Sequence, residues 1–223
     1  MKGANTVEKE TVFQTMYRSG VVPVVSVSDP RKAVGLAKAI ARGGVHVLEI
    51  AFRTEGAAEC VRAVRRECPE MTVGAGTILT REQLLLAKQV GAMFAVAPGY
   101  DEDIVALSQK EGMPFIPGTI NSTDIQKGLK AGLNVIKFFP AEPHGGLRTI
   151  GYLTPPFPTV RFLPAGGIGF DNLEAYLSNP AILACAGGFM ARSTHIEQED
   201  WDTVTALCGR IAEIAAKRLP RDN

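Results

Sequence analysis

Short runs rich in Val, Ile and Phe recur along this chain at intervals of roughly 20 to 25 residues. Each is followed by a stretch whose apolar positions repeat with helical spacing. The runs predict strands over residues 21–27, 45–51, 71–75, 93–97, 114–117, 135–138, 161–164 and 182–185. Helices are predicted over 30–42, 56–67, 81–90, 101–111, 122–131, 146–153 and 170–177. A terminal helix is expected over 199–218, and another over 7–18 ahead of the first strand. Local chemistry supports several of these boundaries. Asp29-Pro30 places a capping side chain before a proline at the first helical position. Thr80-Arg81-Glu82-Gln83 has the spacing of a capping box. Gly43-Gly44, Gly91, Gly112 and Gly132 stand where helices must stop.

Continuous apolar strands alternating with helices imply a parallel sheet covered on its faces. About eight such units in a chain of 223 residues point to an α/β fold of the (β/α)8 TIM-barrel kind, with an extra N-terminal helix. The spacings leave no room for a long linker, so residues 1–223 are expected to form a single barrel domain. An open doubly wound sheet would carry a G-x-G-x-x-G turn after its first strand. Ser26-Val27-Ser28-Asp29-Pro30 stands there instead.

A barrel builds its active site at the carboxyl ends of its strands, so polar residues at those ends are the candidates for chemistry. Lys137 lies in Asn134-Val135-Ile136-Lys137-Phe138-Phe139-Pro140, with no carboxylate within four positions. Burying an unpaired ammonium costs several kcal/mol, so a lysine held in such surroundings tends to shed its proton. The neutral amine attacks carbonyls and forms Schiff bases. The alternative is a strand-end lysine whose amine reaches water along its own stem.

The second strand reads Val47-Leu48-Glu49-Ile50-Ala51-Phe52-Arg53-Thr54. Side chains alternate faces along a strand. With Leu48, Ile50 and Phe52 toward the helices, Glu49 and Arg53 turn toward the interior. They are either a structural ion pair or an acid/base beside a carboxylate-binding guanidinium. Alternation also puts Phe139 on the side of Lys137, where its ring would wall the amine. Gly-rich turns end the last two strands, at Pro164-Ala165-Gly166-Gly167 and Cys185-Ala186-Gly187-Gly188-Phe189. Loops at these two places of a barrel form phosphate cradles from backbone N–H groups.

Composition narrows the function without naming it. Lys plus Arg total 24 against 23 Asp plus Glu, so no net field favours nucleic acid or an acidic membrane surface. Cys60, Cys68, Cys185 and Cys208 form no C-x-x-C pair and are expected to be free thiols. His46, His144 and His195 are too scattered for a protein-only zinc site. His46 is expected to be a packed core residue, and Glu142 to brace the loop after Pro140. The first residues contain no apolar signal-peptide core and no run reaches a membrane span, so the expected location is the cytoplasm.

Taken together, Leu48-Glu49-Ile50-Ala51-Phe52-Arg53-Thr54, Val73-Gly74-Ala75-Gly76-Thr77, Ala97-Pro98-Gly99, Ile136-Lys137-Phe138-Phe139-Pro140-Ala141-Glu142 and Pro164-Ala165-Gly166-Gly167-Ile168 resemble one family. It is the 2-keto-3-deoxy-6-phosphogluconate / 4-hydroxy-2-oxoglutarate aldolase family of class I aldolases, and the resemblance runs from Val21 to about Arg192. The resemblance implies a homotrimer of barrels that needs no metal or other cofactor. It implies Lys137 as the Schiff-base lysine, Glu49 as the proton carrier, and Arg53 with Thr77 as the clamp on the pyruvyl carboxylate. Pro98 and Phe139 would shape the pocket, and Gly166, Gly167, Gly187, Gly188 and Phe189 would line its distal end. Two departures touch that end. Members that cleave the phosphorylated sugar acid typically carry serine where this chain has Phe189, and often threonine in place of Ala165. Each change removes a hydroxyl donor.

Two other readings use the same residues differently. A phosphosugar isomerase or epimerase would keep the glycine loops and leave Lys137 without a task. A non-catalytic keto-acid binder would hold pyruvate without exchanging the protons of its methyl group.

Overall fold

The computed structural model describes residues 12–218. Residues 12–19 are helical (α1) and lead into β1 (Val21–Val25); the remainder of the expected first helix, residues 7–11, lies outside the described residues. The chain then alternates through α2 (Pro30–Arg42), β2 (Val47–Ala51), α3 (Ala57–Glu67), β3 (Thr72–Gly76), α4 (Arg81–Gln89), β4 (Ala95–Val96) and α5 (Glu102–Lys110). It continues through β5 (Phe115–Ile116), β6 (Gly118–Thr119), α6 (Ser122–Lys130), β7 (Val135–Phe138), a 3-10 turn (Glu142–His144) and α7 (Gly146–Leu153). The last elements are β8 (Arg161–Pro164), α8 (Leu173–Leu177), β9 (Cys185–Gly187), α9 (Ser193–Glu197) and α10 (Trp201–Ala216).

The result is an α/β fold around a curled parallel sheet. One six-stranded sheet runs β5-β4-β3-β2-β1-β9, and a three-stranded sheet runs β6-β7-β8. Single parallel bridges, Phe162 to Ile182 and Ala165 to Ala186, link β8 to the β9 segment. Every residue of β2, β3 and β7 is buried, as expected of strands covered on both faces.

The caps act as expected. Asp29 accepts a hydrogen bond from the Arg31 N–H at 2.8 Å. Thr80 accepts from the Gln83 N–H at 3.2 Å, and the Gln83 side chain reaches back to the Leu79 N–H at 2.7 Å. The terminal helix begins later than predicted because Asp200 caps it, accepting from the Thr203 N–H.

Three elements differ from expectation. Pro117 lacks an N–H and divides the fifth strand, so β5 pairs with β4 while β6 pairs with β7. The last strand is shifted toward its glycines. Cys185, Ala186 and Gly187 pair with Val21, Val22 and Pro23, whereas the apolar residues 182–184 are buried without a ladder of their own. Apolar composition marks burial, not pairing. The short helix α9 was not predicted, since five residues are too few to display a period. His46 is exposed rather than packed in the core, because it precedes β2 and lies outside its buried run.

All four cysteines are free and buried. Burial pushes the Cys60 thiol up to about 11 and Cys208 to about 12, and raises Cys185 as well. Trp201 lies against α2, where a β-carbon on Gly35 would sit 3.0 Å from the indole. Glycine costs a helix about 1 kcal/mol relative to alanine, and here it admits the ring. Among the described residues no helix is long and apolar enough to cross a membrane.

Candidate active site

Strand pairing fixes each sequence candidate in its own sheet, and the two sheets bring them together. Glu49 lies opposite Gly74 in the β2–β3 ladder, and Lys137 is paired with Gly118 on one side and Leu163 on the other. The Lys137 N–H is held by the Pro117 carbonyl at 2.9 Å. These ladders hold the two backbones still, and the interior alternation turns both side chains inward. Lys137 Nζ lies 3.7 Å from Glu49 Oε1, with the two side chains 8% and 1% exposed. The carboxylate therefore partners the lysine and not Arg53, so the structural Glu–Arg pair weighed from sequence is not what forms.

The geometry of this pair is informative. At 3.7 Å it is an ion-pair separation, too long for a hydrogen bond. Neither oxygen of Glu49 has a hydrogen-bond partner among the described residues, although both are buried. A bare buried carboxylate is costly, and native proteins avoid one unless it has work to do. Its oxygens stand free to bond a group attached to Lys137. Small residues make the space: a β-carbon on Gly76 would overlap the Glu49 carboxylate, and one on Gly118 would overlap the Pro98 carbonyl. The Phe139 ring centroid is 5.4 Å from Lys137 Nζ, within cation–π range, so the expected aromatic wall is present.

Beyond the end of β2, Arg53 Nε donates to Thr77 Oγ1 at 3.0 Å. Thr77 has φ of +57°, a left-handed backbone that is uncommon outside glycine and marks a constrained position. Among the described residues only the Nε of Arg53 is engaged in this way, which leaves its terminal nitrogens for a two-pronged contact with a carboxylate. Arg53 is exposed, and Pro98 and Phe139 are half-buried.

The two glycine turns flank β8 and β9. Gly166 and Gly167 have φ of +93° and +85°, values that glycine adopts without strain. The carbonyls of Ala165, Gly166 and Gly167 accept from Ala141 N, Glu142 N and Asn172 Nδ2 at 2.7, 3.0 and 3.0 Å. Gly187 pairs with Pro23, and a β-carbon on Gly188 would sit 2.9 Å from the Val24 carbonyl. Phe189 packs edge-on to Phe170 with centroids 5.0 Å apart, and the Arg210 guanidinium lies 4.1 Å from the Phe170 ring. Sequence reasoning passed over Tyr176. Its buried hydroxyl donates a short hydrogen bond to Glu142 Oε1, and only the folded chain brings them together.

Comparison with known proteins follows the same outline. Residues 12–207 match the family described as KDPG and KHG aldolase. The chain is 42% identical over 204 residues to a 2-dehydro-3-deoxy-phosphogluconate aldolase of Treponema pallidum, covering 92% of this chain and 97% of that protein. It is 39% identical over 205 residues to the KHG/KDPG aldolase of Escherichia coli K12, covering 92% and 96%. Among solved structures it is similar to a KDPG aldolase from Legionella pneumophila with pyruvate captured as a covalent carbinolamine. That likeness has a TM-score of 0.87 at 33% identity, over 90% of this chain and 97% of that one.

Proposed function

The chain belongs to the KDPG and KHG aldolase family, and we propose that Lys137 and Glu49 together cleave a 2-keto-4-hydroxy acid to pyruvate and an aldehyde. The substrate class is 2-keto-3-deoxy-6-phosphogluconate or 4-hydroxy-2-oxoglutarate. One observation carries the assignment of roles: a buried carboxylate without a hydrogen-bond partner among the described residues, 3.7 Å from a buried lysine amine.

Lys137 passes a proton to Glu49, and the neutral amine so formed adds to the C2 ketone and gives a carbinolamine. Glu49 gives a proton to the departing hydroxyl, water leaves, and a protonated imine remains. Glu49, directly or through a water, then accepts the proton of the C4 hydroxyl. The C3–C4 bond breaks, its electron pair flows into the imine to make an enamine, and the aldehyde departs. Protonation of the enamine at C3 and hydrolysis of the imine release pyruvate and return the lysine. Arg53 holds the pyruvyl carboxylate with Thr77, while Pro98 and Phe139 wall the imine. The N–H groups of Gly166, Gly167, Gly187 and Gly188 face the distal end of the substrate. Phe189 and Ala165 leave that end to backbone donors.

The finer architecture belongs to the same reading. The two sheets form one closed (β/α)8 barrel in a single domain, supported by the bridges between β8 and the β9 segment and by the continuous chain through Pro117. The exposed Leu79, Leu85, Leu86 and Ile120 side chains support association between copies of the chain, which the family resemblance makes a homotrimer, and the proposed location is the cytoplasm.

Borohydride reduction in the presence of pyruvate tests the chemistry. The expected result is one reduced pyruvyl adduct, mapped by peptide mass to Lys137. A wild-type protein that remains unlabelled, or that labels on a different lysine, overturns the proposal.

A further inference from the structure

Glu142 touches the Gly166-Gly167 turn in two ways, and Tyr176 holds it there. The backbone N–H of Glu142 donates to the Gly166 carbonyl at 3.0 Å, one step beyond the bond from Ala141 N to the Ala165 carbonyl. These two bonds extend the β7–β8 contact past the ends of both strands. The Glu142 side chain occupies the space that a β-carbon on Gly167 would fill. Its carboxylate then accepts a short hydrogen bond from the Tyr176 hydroxyl, which comes from α8, the helix that follows the glycine turn. Tyr176 is 1% exposed, so its ring is fixed by packing and its hydroxyl points to one place. A β-carbon on Gly146 would overlap both partners, so the start of α7 closes over the contact. A single acidic side chain thus joins the end of the lysine strand, the glycine turn and α8.

We infer that Glu142 and Tyr176 are positioning residues that set the height and orientation of the Gly166-Gly167 turn, and through it the affinity for the aldehyde-bearing half of the substrate. This rests on the reading of that turn as the distal subsite. The chemistry stays with Lys137 and Glu49, and the pair acts through the backbone it holds. Binding lost uniformly from ground and transition states raises KM and leaves kcat alone. The pyruvyl half, held at Arg53, does not use this turn.

Three variants separate the possibilities. Tyr176→Phe deletes the donor, Glu142→Ala deletes the acceptor, and Glu142→Gln keeps an acceptor oxygen at the same reach. Each is assayed for cleavage of 2-keto-3-deoxy-6-phosphogluconate and 4-hydroxy-2-oxoglutarate, and for the rate of labelling by pyruvate with borohydride. Tyr176→Phe and Glu142→Ala are expected to raise KM roughly tenfold, the loss of one charge-assisted hydrogen bond, with kcat little changed. Glu142→Gln recovers most of the wild-type KM, and pyruvate labels all three at the wild-type rate. An unchanged KM in Tyr176→Phe overturns the inference. So does a matching fall in pyruvate labelling, which would make the pair a general support of the fold. A wild-type protein that neither labels nor cleaves removes the aldolase reading and this inference with it.

Discussion

The Glu49 carboxylate fills the volume in which a β-carbon on Gly76 would begin. The two residues sit on adjacent strands, where Gly76 pairs with Ala51 and Glu49 with Gly74. Glycine at position 76 is therefore a condition of the acid's placement. Gly76→Ala is expected to push the carboxylate from Lys137 and lower kcat by about a hundredfold, the low end of what a positioned acid–base group supplies. The overpacking itself costs about 1–3 kcal/mol. Steady-state cleavage measured beside a thermal melt checks this; a folded Gly76→Ala protein with wild-type kcat would count against Glu49 as proton carrier.

Lys137 and Glu49 also affect stability as a pair. Lys137→Met removes the only cation within ion-pair distance of a buried carboxylate, among the described residues. Breaking a buried pair in this way costs about 3–5 kcal/mol. Adding Glu49→Gln removes the stranded charge, so the double variant is expected to be more stable than Lys137→Met alone. Urea denaturation of the three proteins at neutral pH tests the order. Equal midpoints for the single and double variants would mean that water already reaches Glu49.

Arg53 is expected to act by geometry as well as charge. Its Nε is held by Thr77 at 3.0 Å, which fixes the plane of the guanidinium. Arg53→Lys keeps the charge and loses the fork, so KM for the keto acid should rise by about tenfold or more. Thr77→Val removes the bond that orients the fork and should produce a smaller rise. A lysine variant with wild-type KM would place the carboxylate elsewhere.

The cysteines predict an alkaline limit to stability. Desolvation raises Cys60 from 9.0 to about 11 and Cys208 to about 12. An unfolded chain releases these protons near its ordinary thiol value, while the folded chain retains them. The stabilisation is complete below that value and is lost as the pH climbs toward the folded ones. Urea midpoints should therefore fall as the pH rises from about 9 toward about 11, and Cys60→Ala with Cys208→Ala should flatten the decline. An unaltered slope in the double variant would assign the alkaline loss to other groups.

Much of the scaffold was legible because local rules agreed with the fold. The strand carrying Lys137 has the bounds that its apolar run predicts, closed by Pro140. Helix α2 runs from the proline at position 30 to Arg42, just ahead of the two glycines at 43 and 44. Alternation alone placed Glu49 inward. What could not be read depends on contacts between distant segments. Pro117 changes the partner of its strand, which composition does not encode. The small residues of β9 pair along β1, while the larger Ile182 before them makes a single bridge to Phe162. The approach of Lys137 on β7 to Glu49 on β2, strands that do not pair with each other, and of Tyr176 to Glu142, joins distant segments that no window along the chain contains.

Trp201 is the chain's sole tryptophan, and its indole is pressed onto Gly35 in α2. Intrinsic emission excited at the indole band will consequently monitor how the terminal helix seats on its neighbour. Titrating the enzyme with keto acid should leave that signal nearly flat, whereas denaturant should shift it to the red as α10 lifts away. A researcher following ligand binding optically would need a reporter introduced elsewhere, beside the glycine turns.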